Sequence, residues 1–209
     1  MRSGIKLEKT EKKPRGRPRA YDPQTALRQA AEAFWKTGYS GTSLDDISAA
    51  TGMNRPSLRA AFGDKHEIYV KALNDYWALK FAAMDKAFAG GGTLAETLTK
   101  VYDAALSIYF SAGDQVLGCF VVGTAITEAV GDPEIQGIVA QGFRKIDADF
   151  EARFKAARVA GELEQGADPK ALALLASATM HTLAIRARAG TSRNELRKLA
   201  QKAVNVMCG

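Results

Sequence analysis

Residues 44–63 read LDDISAATGMNRPSLRAAFG, two short helical stretches separated by a turn at Gly52. Ser43 stands three residues before Asp46, the S-x-x-D spacing of a capping box, so the first helix opens at Leu44 and carries Leu44 and Ile47 on its apolar side. Asn54 is a natural N-cap for the second helix, which turns Leu58, Ala61 and Phe62 inward and stops at Gly63. Two helices this short, joined by a turn, form a helix-turn-helix if Ile47 and Leu58 pack on a preceding helix. The polar side of the second helix then enters a major groove. That side presents Asn54, Arg55, Ser57 and Arg59. Arginine pairs in two-pronged fashion with guanine O6/N7, and asparagine with adenine. Taken alone, the same pair of helices also fits a corner of any helical bundle.

Outward from this stretch, helical period continues in both directions. Upstream, Asp22-Pro23 is an N-cap followed by proline at the first helical position; Leu27, Ala30, Ala31 and Phe34 share one face, and Gly38 closes the helix. Downstream, Asp64-Lys-His-Glu67 is a second capping box, opening a long helix through Ile68, Leu73, Trp77 and Phe81. Gly90-Gly91-Gly92 breaks it. Further helices are predicted at about Leu94–Ser111, Leu117–Val130, Pro133–Ala160, Pro169–Ala189 and Ser192–Met207. No segment alternates as a strand does, so the expected fold is all-α.

Charge points the same way as the motif. The chain has 209 residues and a net charge of +6. Residues 1–20 hold eight basic and two acidic side chains, so the entire excess sits on an N-terminal arm broken by Pro14 and Pro18, expected to be disordered when free. The rest of the chain is neutral. Such an arm fits a polyanion partner. Arg15, Arg17 and Arg19, in Arg-Gly-Arg-Pro-Arg, form a minor-groove hook in this reading, since narrow A·T grooves attract inserted arginine. A generic solubilising tail is the other reading.

The two cysteines, Cys119 and Cys208, make no disulfide framework or metal-ligand spacing, and the N-terminus has no apolar signal-peptide region. The longest stretch free of charge, Ala171–Ile185, is too short to span a bilayer. A reduced, cytoplasmic location is expected. The histidines, His66 and His181, lie far apart, and no G-x-S-x-G, H-E-x-x-H or Cys-x-x-Cys occurs. Gly118–Thr124 has the G-x-x-x-x-G spacing of a phosphate loop, but Thr124 stands where the lysine is needed and no strand precedes it. No enzymatic activity, cofactor or metal is expected. Cys119, among Leu117, Phe120 and Val121, reads as an inert core thiol.

With these motifs in place, Gly16–Trp77 resembles the N-terminal domain of the tetracycline-repressor (TetR) family of bacterial regulators. The resemblance rests on Gly-Arg-Pro-Arg, the Phe-Trp-x-x-Gly-Tyr end of helix one, Thr-Ser-Leu-Asp-Asp-Ile, and Phe-Gly-Asp-Lys-x-x-Ile. Weaker similarity continues through Ala160-Gly-Glu-Leu163, Asp168-Pro169 and Arg186–Gly190. It implies three parts: the arm (1–20), a helix-turn-helix domain (21–81, motif about 44–63), and a C-terminal effector-binding and dimerisation domain (82–209). A long fourth helix joins the last two. It further implies a homodimer reading a palindromic operator on double-stranded DNA, a repressor released by a small-molecule effector. Thr42 and Ser43 would then touch phosphate at the start of helix two, and Lys65 at the start of helix four, while residues 54–59 lie in or beside the groove. Members often carry Tyr after the leucine matching Leu58, and this chain has Arg59, so the operator sequence does not follow by analogy. An architectural minor-groove protein without ligand control is the alternative.

Two groups in the C-terminal part stay open to more than one reading. Trp77, Tyr102, Tyr109, Phe110, Phe143 and Met180 fit either plain core or the wall of an effector pocket. Ala173, Ser177, His181 and Ala184 lie near one face of the Pro169–Ala189 helix, where small side chains permit close approach. That face serves packing within the chain or, as the resemblance implies, between subunits.

Overall fold

The chain enters α1 (Pro23–Gly41) through Asp22, whose carboxylate accepts the Thr25 N–H at 2.8 Å. The structure, a computed structural model, describes residues 22–111 and 115–209, so the arm and its Arg15, Arg17 and Arg19 lie outside the described residues. Gly38, with φ of 79°, breaks the regular path of α1 where the glycine was expected to end it. The helices α2 (Leu44–Thr51), α3 (Arg55–Phe62) and the 25-residue α4 (Lys65–Ala89) follow, each begun by the cap its sequence announces: Ser43, Asn54 and Asp64. Then come α5 (Leu94–Tyr109), the short α6 (Ile126–Glu128), α7 (Pro133–Val159), α8 (Pro169–Arg188) and α9 (Arg193–Cys208). Among the described residues there is no strand.

The structure departs from the expected helix at Leu117–Val130. Residues 116–119 are non-helical, and a π-helical turn, Val121–Ala125, runs directly into α6. The cause is tertiary. Gly118 takes φ of 68°, and a Cβ there would lie 2.6 Å from the Ala184 carbonyl, so the chain passes too close to α8 for a regular helix. The Leu117 carbonyl accepts from Trp35 Nε1 (3.1 Å) and from Arg188 Nη1 (3.0 Å) rather than from a helical N–H.

The packing makes two connected layers. α1 crosses α2 and α4, and α3 rests on α2 and α4. Phe34, Ile47, Leu58 and Ile68 fill the space between them and are fully buried; burial of each such side chain contributes about 1.5–3 kcal/mol. The second layer is a bundle in which α5 lies on α4 and α9, and α8 on α7 and α9. A boundary at residues 81/82 falls inside the unbroken α4, so the two layers share that helix. They also share side chains. Phe120 meets Tyr69 and Tyr76 of α4 with ring centroids 5.6 Å away, and Trp35 of α1 at 5.8 Å.

Candidate nucleic-acid interface and the bundle interior

Ser43 closes a reciprocal capping box: its Oγ accepts the Asp46 N–H at 3.1 Å, and Asp46 Oδ2 accepts the Ser43 N–H at 2.7 Å. Gly52, at φ of 67°, turns the chain so that Met53 is buried and Asn54 can cap α3, its Oδ1 accepting the Ser57 N–H at 2.9 Å. With Ile47, Leu58 and Phe62 buried, α3 is left with an outer face of Arg55, Pro56, Arg59 and Ala60, all exposed. Pro56 and Ala60 had not been singled out; their place beside the two arginines at i and i+4 spacing was the available signal. Apolar groups on such a face suit thymine methyls.

The expected DNA contacts separate into distinct situations. Arg59 is exposed and, among the described residues, pairs with no carboxylate. Arg55 is exposed too, but its Nε and Nη2 donate to Asp45 at 2.7 and 2.5 Å, which holds the Asp45 carboxyl below the usual carboxylate range. The pair braces α3 against α2 and commits two of the five Arg55 donors, leaving Nη1 and the second Nη2 hydrogen for a base edge. Asn54 and Ser57 face the same side, with the Asn54 amide oxygen committed to the cap. Ser43 remains at the surface at the α2 N-terminus, where free N–H groups favour phosphate. Lys65 stands at the α4 N-terminus with its ammonium 4.3 Å from the Tyr39 ring centroid.

Thr42 is a correction. Its side chain is buried, with Oγ1 2.6 Å from the Gly38 carbonyl and 2.7 Å from Thr37 Oγ1. The break at Gly38 frees that carbonyl, and the threonine hydroxyl satisfies it. A hydroxyl used this way does not reach phosphate.

The expected dimer residues are corrected as well. Ala173, Ser177 and Ala184 are buried within the chain's own bundle, and the His181 ring lies 4.7 Å from Phe143 of α7. That face of α8 is spent on intramolecular packing against α7. The outward side of the same helix carries Ala171, Leu174, Leu175, Ala178 and Ile185, exposed at i, i+3, i+4, i+7 and i+14 spacing from Ala171.

The proposed pocket residues also split. Trp77, Tyr109 and Phe143 gather around one place: Trp77 meets Phe143 at 6.0 Å, and the Lys80 ammonium stands 5.4 Å from the Trp77 ring and 5.9 Å from the Tyr109 ring. Tyr102 lies elsewhere, donating to the Ala176 carbonyl at 3.1 Å and tilted on Phe150. Met180 is fully buried, and Phe110 caps the end of α5, half-buried. Lys80 escaped the sequence reading. Its signal was a lysine on an apolar α4 stripe, between Leu73 and Trp77 on one side and Met84 on the other.

His181 reports on the same interior. Burial, and then the Lys80 ammonium, push its imidazole down from 6.5 to about 4. Between those values the unfolded chain takes up a proton that the folded chain refuses, so stability falls as pH drops from 6.5 to 4 and levels off below. This costs on the order of 2–3 kcal/mol. Urea unfolding at pH 7 and pH 4.5 should show a smaller loss for His181→Phe than for the parent; equal losses would place the titration elsewhere.

Several contacts tie the DNA-binding layer to the bundle. His66 Nε2 lies 2.6 Å from Asp132 Oδ2, Tyr69 Oη 2.7 Å from Thr124 Oγ1, and Ser40 donates to Glu128 at 3.3 Å. With Trp35 on the Leu117 carbonyl, α1 and the start of α4 are held by the segment around the π-turn. No helix among the described residues is long and apolar enough to cross a membrane.

An exposed basic recognition helix, capped and seated on α1 and joined to a helical bundle through a shared helix, defines a helix-turn-helix DNA-binding regulator. The comparisons place it within that class. Residues 26–72 match the family model for bacterial regulatory proteins, tetR family. The repressor ComR of Escherichia coli (strain K12) is 29% identical over 191 residues, 90% of each chain. A Rhodococcus sp. RHA1 protein assigned to the TetR transcriptional regulators is 30% identical, with a TM-score of 0.59 over 88% of this chain and 98% of that one. The regulator CifR, solved with 26-bp double-strand operator DNA, is 26% identical, with a TM-score of 0.77 over 90% of this chain and 98% of its own. The chain belongs to the TetR family. Its relatives are transcriptional regulators, not enzymes.

Proposed function

We propose that the protein is a cytoplasmic, sequence-specific transcriptional repressor that binds a palindromic operator as a homodimer and is released by a small-molecule effector. The observation that carries the DNA-binding part is the outer face of α3, where Arg59 is exposed and without an acidic partner among the described residues. CifR, of similar fold, is solved on operator DNA, and ComR is a repressor; both support the reading. Within it, residues 22–81 seat the recognition helix, and the bundle beyond sets the distance between two copies. The outward apolar stripe of α8 is the proposed seam. The interior around Trp77, Tyr109 and Phe143 is the proposed effector site. In this reading the arm adds phosphate and minor-groove contacts.

The test is a footprint followed by titration of the protected fragment. One discrete palindrome is expected; broad A·T-rich coverage would instead favour the architectural alternative. Arg59→Ala should weaken binding by about 5- to 150-fold, matching the 1–3 kcal/mol of a base-reading arginine, and relax specificity at one position of each half-site. Arg55→Ala should weaken it less, since Asp45 already occupies two of its donors. Unchanged affinity in both variants at moderate salt would overturn the assignment of α3.

A further inference from the structure

The side chain of Lys80 is completely buried, and among the described residues no oxygen atom accepts from its ammonium. Its contacts are the Cys119 sulfur at 3.9 Å and the faces of Trp77 and Tyr109. An ammonium in an apolar bundle without a counter-charge is costly, and native interiors keep such groups only where something supplies the missing partner. Lys80 is not alone. Trp77 Nε1, the Tyr109 hydroxyl and His181 Nε2 are also buried without hydrogen-bond partners among the described residues. Trp77 and Tyr109 carry the rings that Lys80 faces, and the ammonium is felt at His181. Lysine and tryptophan are donor-only groups, so what they lack is an acceptor.

We propose that Lys80, with Trp77 Nε1 and the Tyr109 hydroxyl, forms an internal anion site that takes the carboxylate of a small apolar acid, the effector of this regulator. The proposal deepens, and rests on, the reading of the bundle as an effector domain. A carboxylate matches the single positive charge and can accept from several donors at once. A dianion would leave one charge uncompensated among aromatic walls. The apolar body has a place to lie. A groove of about 390 Å³ between α1 and α4 has Leu27, Ala31, Trp35, Tyr76 and Phe120 in its lining, together with the charged Arg28, Glu32 and Asp75. Its Tyr76 wall donates its hydroxyl to the same Cys119 sulfur that Lys80 approaches, at 3.2 Å. Tyr76 thus links the wall of the groove to the sulfur that Lys80 approaches.

The site also has a route to the DNA-binding layer. Cys119 follows Gly118 and Leu117, and the Leu117 carbonyl holds the Trp35 indole of α1. An anion drawn to Lys80 competes for the ammonium now resting on Cys119 and so bears on the segment that positions α1. The ligand shifts the regulator only by its difference in affinity between the two arrangements.

The experiment uses the full chain and four probes at constant ionic strength: benzoate, phenylacetate, and their uncharged amides benzamide and phenylacetamide. Tryptophan emission and the melting temperature report binding, and titration of the footprinted operator fragment reports DNA affinity separately. The acids should bind at least about tenfold more tightly than the matching amides. Lys80→Met should erase that preference by weakening the acids while leaving binding of the amides unchanged. Should Lys80→Met fail to fold, Lys80→Gln carries the same expectation. Acids and amides that bind alike, saturation by none of the four, or a Lys80 variant that still prefers acids each overturn the anion site. Acid-selective binding by a protein that recognises no palindrome would sink the regulatory reading instead and leave the anion site standing.

Discussion

Phe120→Ala should lower the free energy of unfolding by about 3–5 kcal/mol, the cost of a large cavity in a well-packed interior. Phe120 is fully buried and touches the rings of Trp35, Tyr69 and Tyr76, so three aromatic neighbours lose a face at once. Little can fill the space, because each neighbour is itself held. Tyr69 is hydrogen-bonded to Thr124, Tyr76 to Cys119, and Trp35 to the Leu117 carbonyl. For a chain of 209 residues, the loss corresponds to roughly 6–20 °C in melting temperature. The position adds a functional effect. Phe120 leads into the π-turn at the junction of α1, α4 and the bundle, so operator affinity should fall even at temperatures where the variant is folded. Urea unfolding gives the first quantity and operator titration the second. A stability loss below about 1 kcal/mol would mean that the cluster closes over the gap and that the junction is softer than its geometry implies.

Leu175→Arg should convert the protein to a monomer and lower operator affinity by at least about a hundredfold, with every DNA-facing residue intact. Leu174, Leu175 and Ile185 are each more than half exposed on α8, an apolar stripe that a soluble surface rarely leaves uncovered. One recognition helix covers too little of a groove for tight specific binding, so in the proposed homodimer affinity depends on two copies held at the half-site spacing, about 34–36 Å or a multiple of it. In the proposed homodimer, a guanidinium on this stripe enters an apolar seam without a counter-charge, a costly desolvated contact. Ser177→Trp makes the contrast. Ser177 is buried inside the chain, so a tryptophan there should overpack the bundle and destabilise the fold itself by about 1–3 kcal/mol or more. Sedimentation of the Leu175 variant decides the matter: a stable dimer with normal operator binding would put the seam on another face.

Much of the candidate interface was legible in residues 43–64 because the signals there are local. A capping box joins residues three apart, and the turn at Gly52 needs only a residue that accepts positive φ. The outward position of Arg59 follows from helical period once Leu58 and Phe62 point inward. What the reading missed turns on side-chain partners that caps and helical period do not name. Arg55 looked as free as Arg59, yet Asp45, ten residues earlier, holds it. Thr42 looked like a phosphate contact, yet the carbonyl released at Gly38 claims its hydroxyl. The small-residue face of α8 suited a close approach equally well within the chain or between chains. Composition could not choose between them.

Local signals along the chain are enough to make this protein all-helical, to place nearly every helix start and stop, and to say which short helix presents arginine outward. Caps, glycine turns and apolar period act over one or two helical turns, and their energies are decided before any distant segment arrives. The π-turn, the inward face of α8 and the burial of Lys80 arise from packing between distant segments. Each depends on a backbone or ring brought in from far along the chain: Ala184 against Gly118, Phe143 against His181, Tyr109 and Cys119 around the ammonium. A lysine on an apolar stripe reads as a surface residue until the helices close around it, because burial is a property of the packed assembly and not of the residue or its neighbours in sequence.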